Sequence, residues 1–322
     1  MAQSSVPMDR KAILAAELPR YSARRLTNNI ASVILLTLTL LSVTFLILIV
    51  GFVLVRGIST IFPMVDGHIS FNIDYFTQAG AAPGQTNADG TPYAGGVANG
   101  IVGTLEMLLA GAVIAIPIGL GTAIYLSEYG IGRWAEIVRF VVNLLAGLPS
   151  VLVGLFIWAL LIHGINGDGS GVLGYSGFAG ALALAVIIIP IVASSVESIL
   201  KLVPTELREA GYALGLPKWR VVVRIVLPTV GGGVATGILL ALARAAGETA
   251  PLILTVGGAN QFVNTDLGQP MSAMTLQIYN YATSAYKTQQ DQAWGNALVL
   301  VALIAMFSAA VRFVTSRKQY DN

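Results

Sequence analysis

The sequence predicts an all-α integral membrane protein with six transmembrane helices. Three observations carry this. Of 322 residues, 55% are hydrophobic and only 11% are charged, against about 25% charged in ordinary soluble domains. The mean hydropathy is +0.76, more apolar surface than a soluble fold of this size could hide. Six separate stretches reach the roughly 20 mostly apolar residues that a spanning helix needs. The same composition excludes disorder, which requires low hydrophobicity and high charge.

The first stretch, Leu26 to Val55, carries no charge. It exceeds the ~7–15 residues of a signal-peptide apolar region, and no small-residue cleavage pattern follows it. The second begins near Val97, runs to Leu126 and holds one acid, Glu106. The third is Phe140 to Ile162 and the fourth is Tyr175 to Val196. The fifth starts near Thr229, ends near Val256 and carries Arg244 and Glu248; the sixth is Ala293 to Val311. Pro117, Pro149 and Pro190 fall inside spans two, three and four. Membrane helices tolerate proline where a neighbour or water satisfies the freed carbonyl. Gly233 and Gly237 form a GxxxG pair in span five, after Gly231 and Gly232. Small residues at this spacing let helix backbones approach closely in lipid; bending at a gate is the alternative reading.

Lysine and arginine in the loops set the orientation. Fifteen of the eighteen basic residues fall on one side: Arg10 to Arg25, Arg133 and Arg139, Lys201 to Arg224, and Arg312 to Lys318. Both termini are therefore expected in the cytoplasm. The division that follows is a tail at 1–25, a first helix at 26–56 and an outer loop at 57–96. Five helices at 97–316 and a tail at 317–322 complete it. The outer loop contains Ala-Ala-Pro-Gly at 81–84 and Asn-Ala-Asp-Gly at 87–90, which is turn chemistry. The stretch 258–292 holds Tyr279, Tyr281 and Tyr286. Both read as solvated linker with interfacial aromatics; a docking surface for an external partner is the sharper alternative.

Several classes of chemistry are absent. The chain has no cysteine, so disulfides, thiolate catalysis and thiolate-bound metal are excluded. Two histidines, His68 and His163, cannot build a histidine-rich metal site. A net charge of +2 argues against a general nucleic-acid binder. No cofactor is called for.

The inward loop at 201–228 carries a specific signal. Thr205 is a candidate N-cap with Glu206 in the first turn. A short helix is expected from Glu206 to Leu214, with Gly215 ending it and Pro217 preventing continuation. Ala210, Ala213 and Leu214 then form a small apolar face that needs a partner; the alternative is an amphipathic helix lying on lipid. Glu209-Ala210-Gly211, followed by Gly215, Ile225, Leu227 and Pro228, matches the EAA signature of ABC importer permeases. Six of its seven fixed positions agree, and only Gly211 departs, standing where the signature has a second alanine.

Further strings narrow the resemblance. Arg244 to Pro251, Leu148 to Phe156, Tyr125 to Tyr129 and Leu276 to Tyr279 look like the phosphate importer permeases, more the PstA branch than its PstC partner. The resemblance covers about residues 97–316. It implies a type I importer (MetI-like) permease core plus an N-terminal extra helix. It also implies a second, PstC-like permease subunit, two copies of a PstB-like ATPase and an external PstS-like phosphate-binding protein. Glu209, Ala210, Leu214 and Gly215 would couple to the ATPase. The residues agree with that division of labour. A phosphate-binding loop needs Gly-Lys-[Ser/Thr], and none of the five lysines follows a glycine, so nucleotide hydrolysis is expected on another chain.

Charges inside spans cost several kcal/mol unless they face a cavity or a partner. Arg244 and Glu248, four apart on span five, are expected to share one helix face. At ~1.5 Å per residue, Arg244 lies about 22 Å from Thr229, and Glu106 lies about 14 Å from the outer start of span two. Arginine suits phosphate because its planar fork donates two parallel hydrogen bonds, and a neighbouring carboxylate would help release. Arg244, Glu248, Glu106 and, more weakly, Ser150 are therefore the candidate pathway residues. A structural ion pair between Arg244 and Glu248 is the rival reading. Permeation of sulfate or molybdate is the nearest alternative function, and an ion-coupled secondary transporter or an intramembrane enzyme the remoter ones. A secondary transporter has no use for an EAA loop, and an enzyme would need a nucleophile with its base.

Overall fold

The computed structural model describes residues 10–65, 68–82, 84–87, 90, 93, 95–164, 169, 171–258 and 261–320. Tail residues 1–9 and 321–322, and parts of the expected turns at 81–84 and 87–90, lie outside the described residues. The chain divides into two units, 1–55 and 56–322.

The described residues of the first unit lie on one helix. α1 runs Arg10–Ile61, so the helix starts well before the apolar stretch that the sequence marks. The most apolar stretch within its 38-residue part Arg24–Ile61 has a mean hydropathy of 2.9 and no buried residue, whereas Gly57 and Ile61 near its end are buried. Thr37, Thr39 and Thr44 return their hydroxyls to carbonyls four residues back, so these polar groups are satisfied within the helix itself.

The second unit is a helical bundle. A two-residue ribbon, β1 (Met64–Val65) with β2 (His68–Ile69), and the short α2 (Asp74–Thr77) precede it. α3 (Ala98–Ile124) continues through a π turn, Tyr125–Tyr129. α4 (Arg133–Gly147) and α5 (Ser150–Ile157, extended by a π turn to Ile162) follow. α6 spans Gly177–Leu200 and α7 spans Thr205–Ala213. α8 (Lys218–Val221) passes through a π turn into α9 (Leu227–Thr229). α10 (Gly231–Ala246), α11 (Ala250–Thr255), α12 (Met274–Ala282) and α13 (Lys287–Tyr320) complete the chain.

Among the described residues, four helices are long and apolar enough to cross a membrane, and two bent pairs pass the same test jointly. The third span is therefore not one rod. α4 and α5 meet at 100°. Leu148 is extended (φ −68°, ψ 134°), as a residue before proline prefers, and Pro149 has no N–H with which to continue the helix. The other pair, Lys218–Thr229 with Gly231–Ala246, bends by 77°. The fifth span ends earlier than its apolar pattern. α10 stops at Ala246, and Gly247 to Thr249 separate it from α11.

α3 and α6 form the centre. Ala112, Ala115, Ala181, Ala185 and Val192 are buried between them and their neighbours. The packing is close: a Cβ on Gly111 would lie 2.8 Å from the Ala181 carbonyl oxygen, and one on Gly119 would lie 2.8 Å from Val192 Cβ. Gly233 and Gly237 of α10 both face Ile199 of α6. The GxxxG pair is thus a close-packing surface.

The loop at 57–96 is not a solvated linker. Tyr75, Ala81 and Val97 are buried, and so is Tyr281 of α12, whereas Tyr279 and Tyr286 are exposed. A polar chain holds the segment down. The Tyr75 hydroxyl lies 2.6 Å from Asn296 Oδ1, Asn296 Nδ2 reaches Gln277 Oε1, and Gln277 Nε2 donates to Asn99 Oδ1 at 2.7 Å. Asn99 Oδ1 also accepts from the Gly80 N–H, and the Tyr281 hydroxyl donates to the Ala81 carbonyl. Polar side chains with partners can be buried at little cost, and hydropathy alone does not reveal such pairing. Burial raises the Tyr75 hydroxyl far above its usual range and pushes Tyr281 up to about 12.

Candidate functional site

Two places hold all but one of the residues singled out by sequence, Glu106 being the exception. The first is a cavity of about 300 Å³ at the α4–α5 break. Leu145 to Ser150 supply one wall, Val153 of α5 and Ile187 and Ile191 of α6 a second, and Arg244 and Glu248 a third. The break makes the cavity, since a continuous helix there would fill it with its own side chains. Gly154 of α5 lies against α11: an added Cβ would fall 2.6 Å from Pro251 Cα. That contact places the second break, between α10 and α11, opposite the first.

Arg244 sits in the last turn of α10, and Glu248 sits in the break beyond it. The two do not share a helix face, because the helix ends at Ala246. The Glu248 carbonyl accepts a hydrogen bond from the Thr275 hydroxyl of α12 at 2.9 Å, which ties the break to a neighbouring helix. Among the described residues, the ion pairs are Arg139–Glu197, Lys201–Glu197, Arg208–Glu128 and Lys287–Asp291. Arg244 and Glu248 face one cavity without pairing. Ser150 lines it too, at the first position of α5, where backbone N–H groups have no partner in the helix. The cavity thus presents a guanidinium fork, a carboxylate, a hydroxyl and a helix N-terminus, a set suited to holding a small oxyanion. Glu106 is not brought there. It lies on α3, outside the lining of this cavity, with Oε2 buried and without a hydrogen-bond partner.

The second place is α7. Thr205 is its first residue, not a capping one: Pro204 holds the N-cap position and no side chain caps the end. The other end stops as the sequence indicates. Gly215 has φ +75°, its N–H donates to the Tyr212 carbonyl, and the Leu216 N–H donates to the Gly211 carbonyl. This is the paired-bond helix stop with a left-handed glycine. Glu209, Ala210 and Ala213 are exposed, and Leu214 is 80% exposed. With Leu207 and Tyr212 they leave an apolar surface uncovered within the chain.

Sequence reasoning missed what holds α7 in place. Arg208 reaches Glu128, on the π turn after α3, through Nε at 3.2 Å and Nη2 at 2.8 Å. The same guanidinium donates to the carbonyls of Val203 at 2.6 Å and Leu200 at 3.0 Å. Glu197, near the same end of α6, accepts from Arg139 of α4 at 2.9 Å and from Lys201 at 2.7 Å. In the sequence Arg208 and Arg139 count only as loop charges. Glu128 stands inside the string Tyr125 to Tyr129, which marks the region but not the partner.

A helical membrane core with broken spans, an exposed loop helix and a polar cavity at one break defines a permease of the ABC importer class. The family described as "Binding-protein-dependent transport system inner membrane component" matches residues 115–319, and the chain belongs to that family. It is 37% identical to the phosphate transport system permease protein PstA of Mycobacterium leprae, over 92% of this chain and 91% of that one. PstA of Yersinia pestis is also 37% identical, over 92% of each. Among solved structures, the inward-facing methionine ABC transporter MetNI superposes with a TM-score of 0.56 at 20% identity, covering 69% of this chain and 95% of that one. A bacterial ABC transporter that imports the acidic polysaccharide alginate gives 0.53 at 15%, covering 91% and 99%. These two establish a shared fold. An ABC importer permease is a transporter subunit that works with ATPase and binding-protein subunits.

Proposed function

We propose that this chain is the permease subunit of an ATP-driven importer of inorganic phosphate and forms half of its translocation pathway. The observation that carries the reading is that Arg244, in no ion pair among the described residues, lines one cavity together with Glu248 and Ser150. The arginine fork matches two phosphate oxygens. Glu248 can accept a hydrogen bond from the hydroxyl that phosphate carries at neutral pH, and sulfate carries none. An unopposed guanidinium would hold the anion too long, and the carboxylate limits that. The two relatives at 37% identity carry phosphate transport in their names.

The partners follow from the same reading. A PstC-like permease supplies the other half of the path, two PstB-like ATPases supply hydrolysis, and a PstS-like protein delivers phosphate outside. The exposed face of α7, with Glu209, Ala210, Leu214 and Gly215, seats on an ATPase subunit. Both termini lie in the cytoplasm, as the basic loops indicate. The test is reconstitution of the four proteins in liposomes. ATP-dependent uptake of labelled phosphate, uncompeted by excess sulfate or molybdate, is expected. Equal competition by sulfate would replace phosphate with a broader oxyanion class, and uptake without ATP would end the reading.

A further inference from the structure

We infer that Arg208 is the positioning residue through which movement of α7 reaches the anion cavity, and that the movement travels by way of α6. The inference rests on the reading that α7 seats on the ATPase.

Arg208 is the inward anchor of α7. Its four hydrogen bonds run to Glu128, Val203 and Leu200. The pair is sheltered, with side-chain exposures of 16% for Arg208 and 4% for Glu128. Glu206 and Glu209 on the same helix are exposed. The helix also touches the chain through Gly211, against the methyl groups of Val221 and Ile225. An apolar contact of that kind lets surfaces slide, whereas a bidentate guanidinium–carboxylate bond is directional and resists displacement. A pull on α7 therefore passes directly to the ends of α3 and α6 through Arg208.

α6 leads from that anchor to the cavity. Ile191, nine residues before Leu200, lies about 14 Å along the helix at ~1.5 Å per residue, and it lines the cavity with Ile187. Glu197, three residues before Leu200, holds Arg139 of α4. α4 ends in the break that forms another wall. The Arg208 bonds thus tie α7 to α6, which forms one wall, and the Arg139–Glu197 pair ties α6 to α4, which leads to another. The third wall differs. α10, which carries Arg244, meets α6 through Gly233 and Gly237 against Ile199. No hydrogen bond or ion pair joins these two helices among the described residues. Displacing α7 would then move the α4 and α6 walls together past Arg244, changing the space around the anion.

The experiment uses the complete reconstituted complex and reads phosphate imported per ATP hydrolysed, beside ATPase retention and assembled yield. The variants are Arg208→Lys, Glu128→Gln and the double Arg208→Met/Glu128→Gln, which leaves no buried charge unpaired. We expect all assembled variants to keep the ATPase and hydrolyse ATP. The double variant should import at least tenfold less phosphate per ATP. Arg208→Lys should fall less, because lysine keeps the charge but loses the fork. A double variant within twofold of the unaltered ratio overturns the inference, even if its yield is lower, because that pattern means a purely structural pair. Loss of the ATPase from both Arg208 variants also overturns it, by making Arg208 a docking residue. If the unaltered complex shows no ATP-dependent uptake, the functional reading fails first and the inference falls with it.

Discussion

Gly211 packs against Ile225: a Cβ built on the glycine would stand 2.8 Å from Ile225 Cδ1 and 3.0 Å from Val221 Cγ2. Two positions of the EAA signature, fourteen residues apart, are thus one contact. The departure at Gly211 from the signature's alanine sits where α7 lies closest to the helix that follows it. Gly211→Ala should be tolerated, because the obstructing atom is the tip of a flexible side chain. A gain of up to about 1 kcal/mol in helix propensity opposes the shift of that methyl. Gly211→Leu should not be tolerated, with loss of about 1–3 kcal/mol from overpacking. Thermal unfolding of the purified complex distinguishes the two, and equal midpoints for both variants would contradict this packing.

Gly215→Val tests the helix stop. Nothing lies within 4 Å of an added Cβ, so space is not the obstacle; the backbone is, at φ +75°. A side chain in the left-handed region costs about 1–2 kcal/mol, more for a β-branched one. The exposed end of α7 should be displaced and transport should uncouple from hydrolysis. Normal transport-coupled ATPase activity in a normally assembled variant would count against it.

Gly154→Ala tests the wall of the cavity. The added methyl would meet backbone, Pro251 Cα at 2.6 Å, which cannot rotate away. α5 and α11 must separate, at about 1–3 kcal/mol, and the break holding Glu248 moves with α11. Phosphate uptake per assembled complex should fall several-fold. Undiminished uptake would mean that the α5–α11 contact does not set the cavity.

Tyr75→Phe tests the polar chain that holds down residues 57–96. The substitution leaves Asn296 Oδ1 buried without the donor now 2.6 Å away, at about 1–3 kcal/mol. The expected result is a lower unfolding midpoint and faster proteolysis near residue 75, with uptake at saturating phosphate nearly unchanged. An unaltered midpoint would show that the chain of bonds adds nothing.

Much of the fold is legible in the sequence because lipid imposes long apolar runs. The helices around Val97 to Leu126, Tyr175 to Val196 and Ala293 to Val311 announce themselves that way. The bends do not. Pro149 is visible, but a proline inside a span is compatible with a kink as well as with a 100° break; the outcome depends on what packs into the gap. The end of α10 at Ala246 was hidden because Gly247 to Thr249 are only three residues, and the apolar pattern resumes beyond them at Ala250 to Val256. Arg244 and Glu248 were found by their charge, yet the helix ends between them, and they line one cavity without sharing a helix face. Arg208 and Glu128 stand eighty residues apart in sequence, and no local pattern pairs them. The stop at Gly215 was legible because its cause is local.

The most direct measurement is phosphate uptake by Arg244→Gln, Arg244→Lys, Glu248→Gln and the double Arg244→Gln/Glu248→Gln, each scaled to assembled complex. If Arg244 contacts the anion, Arg244→Gln abolishes uptake with the complex intact. Arg244→Lys recovers part of it, since the charge remains without the fork. Glu248→Gln impairs release, and the double variant stays inactive. Restored uptake in the double variant would contradict the account and leave the two residues as a structural pair.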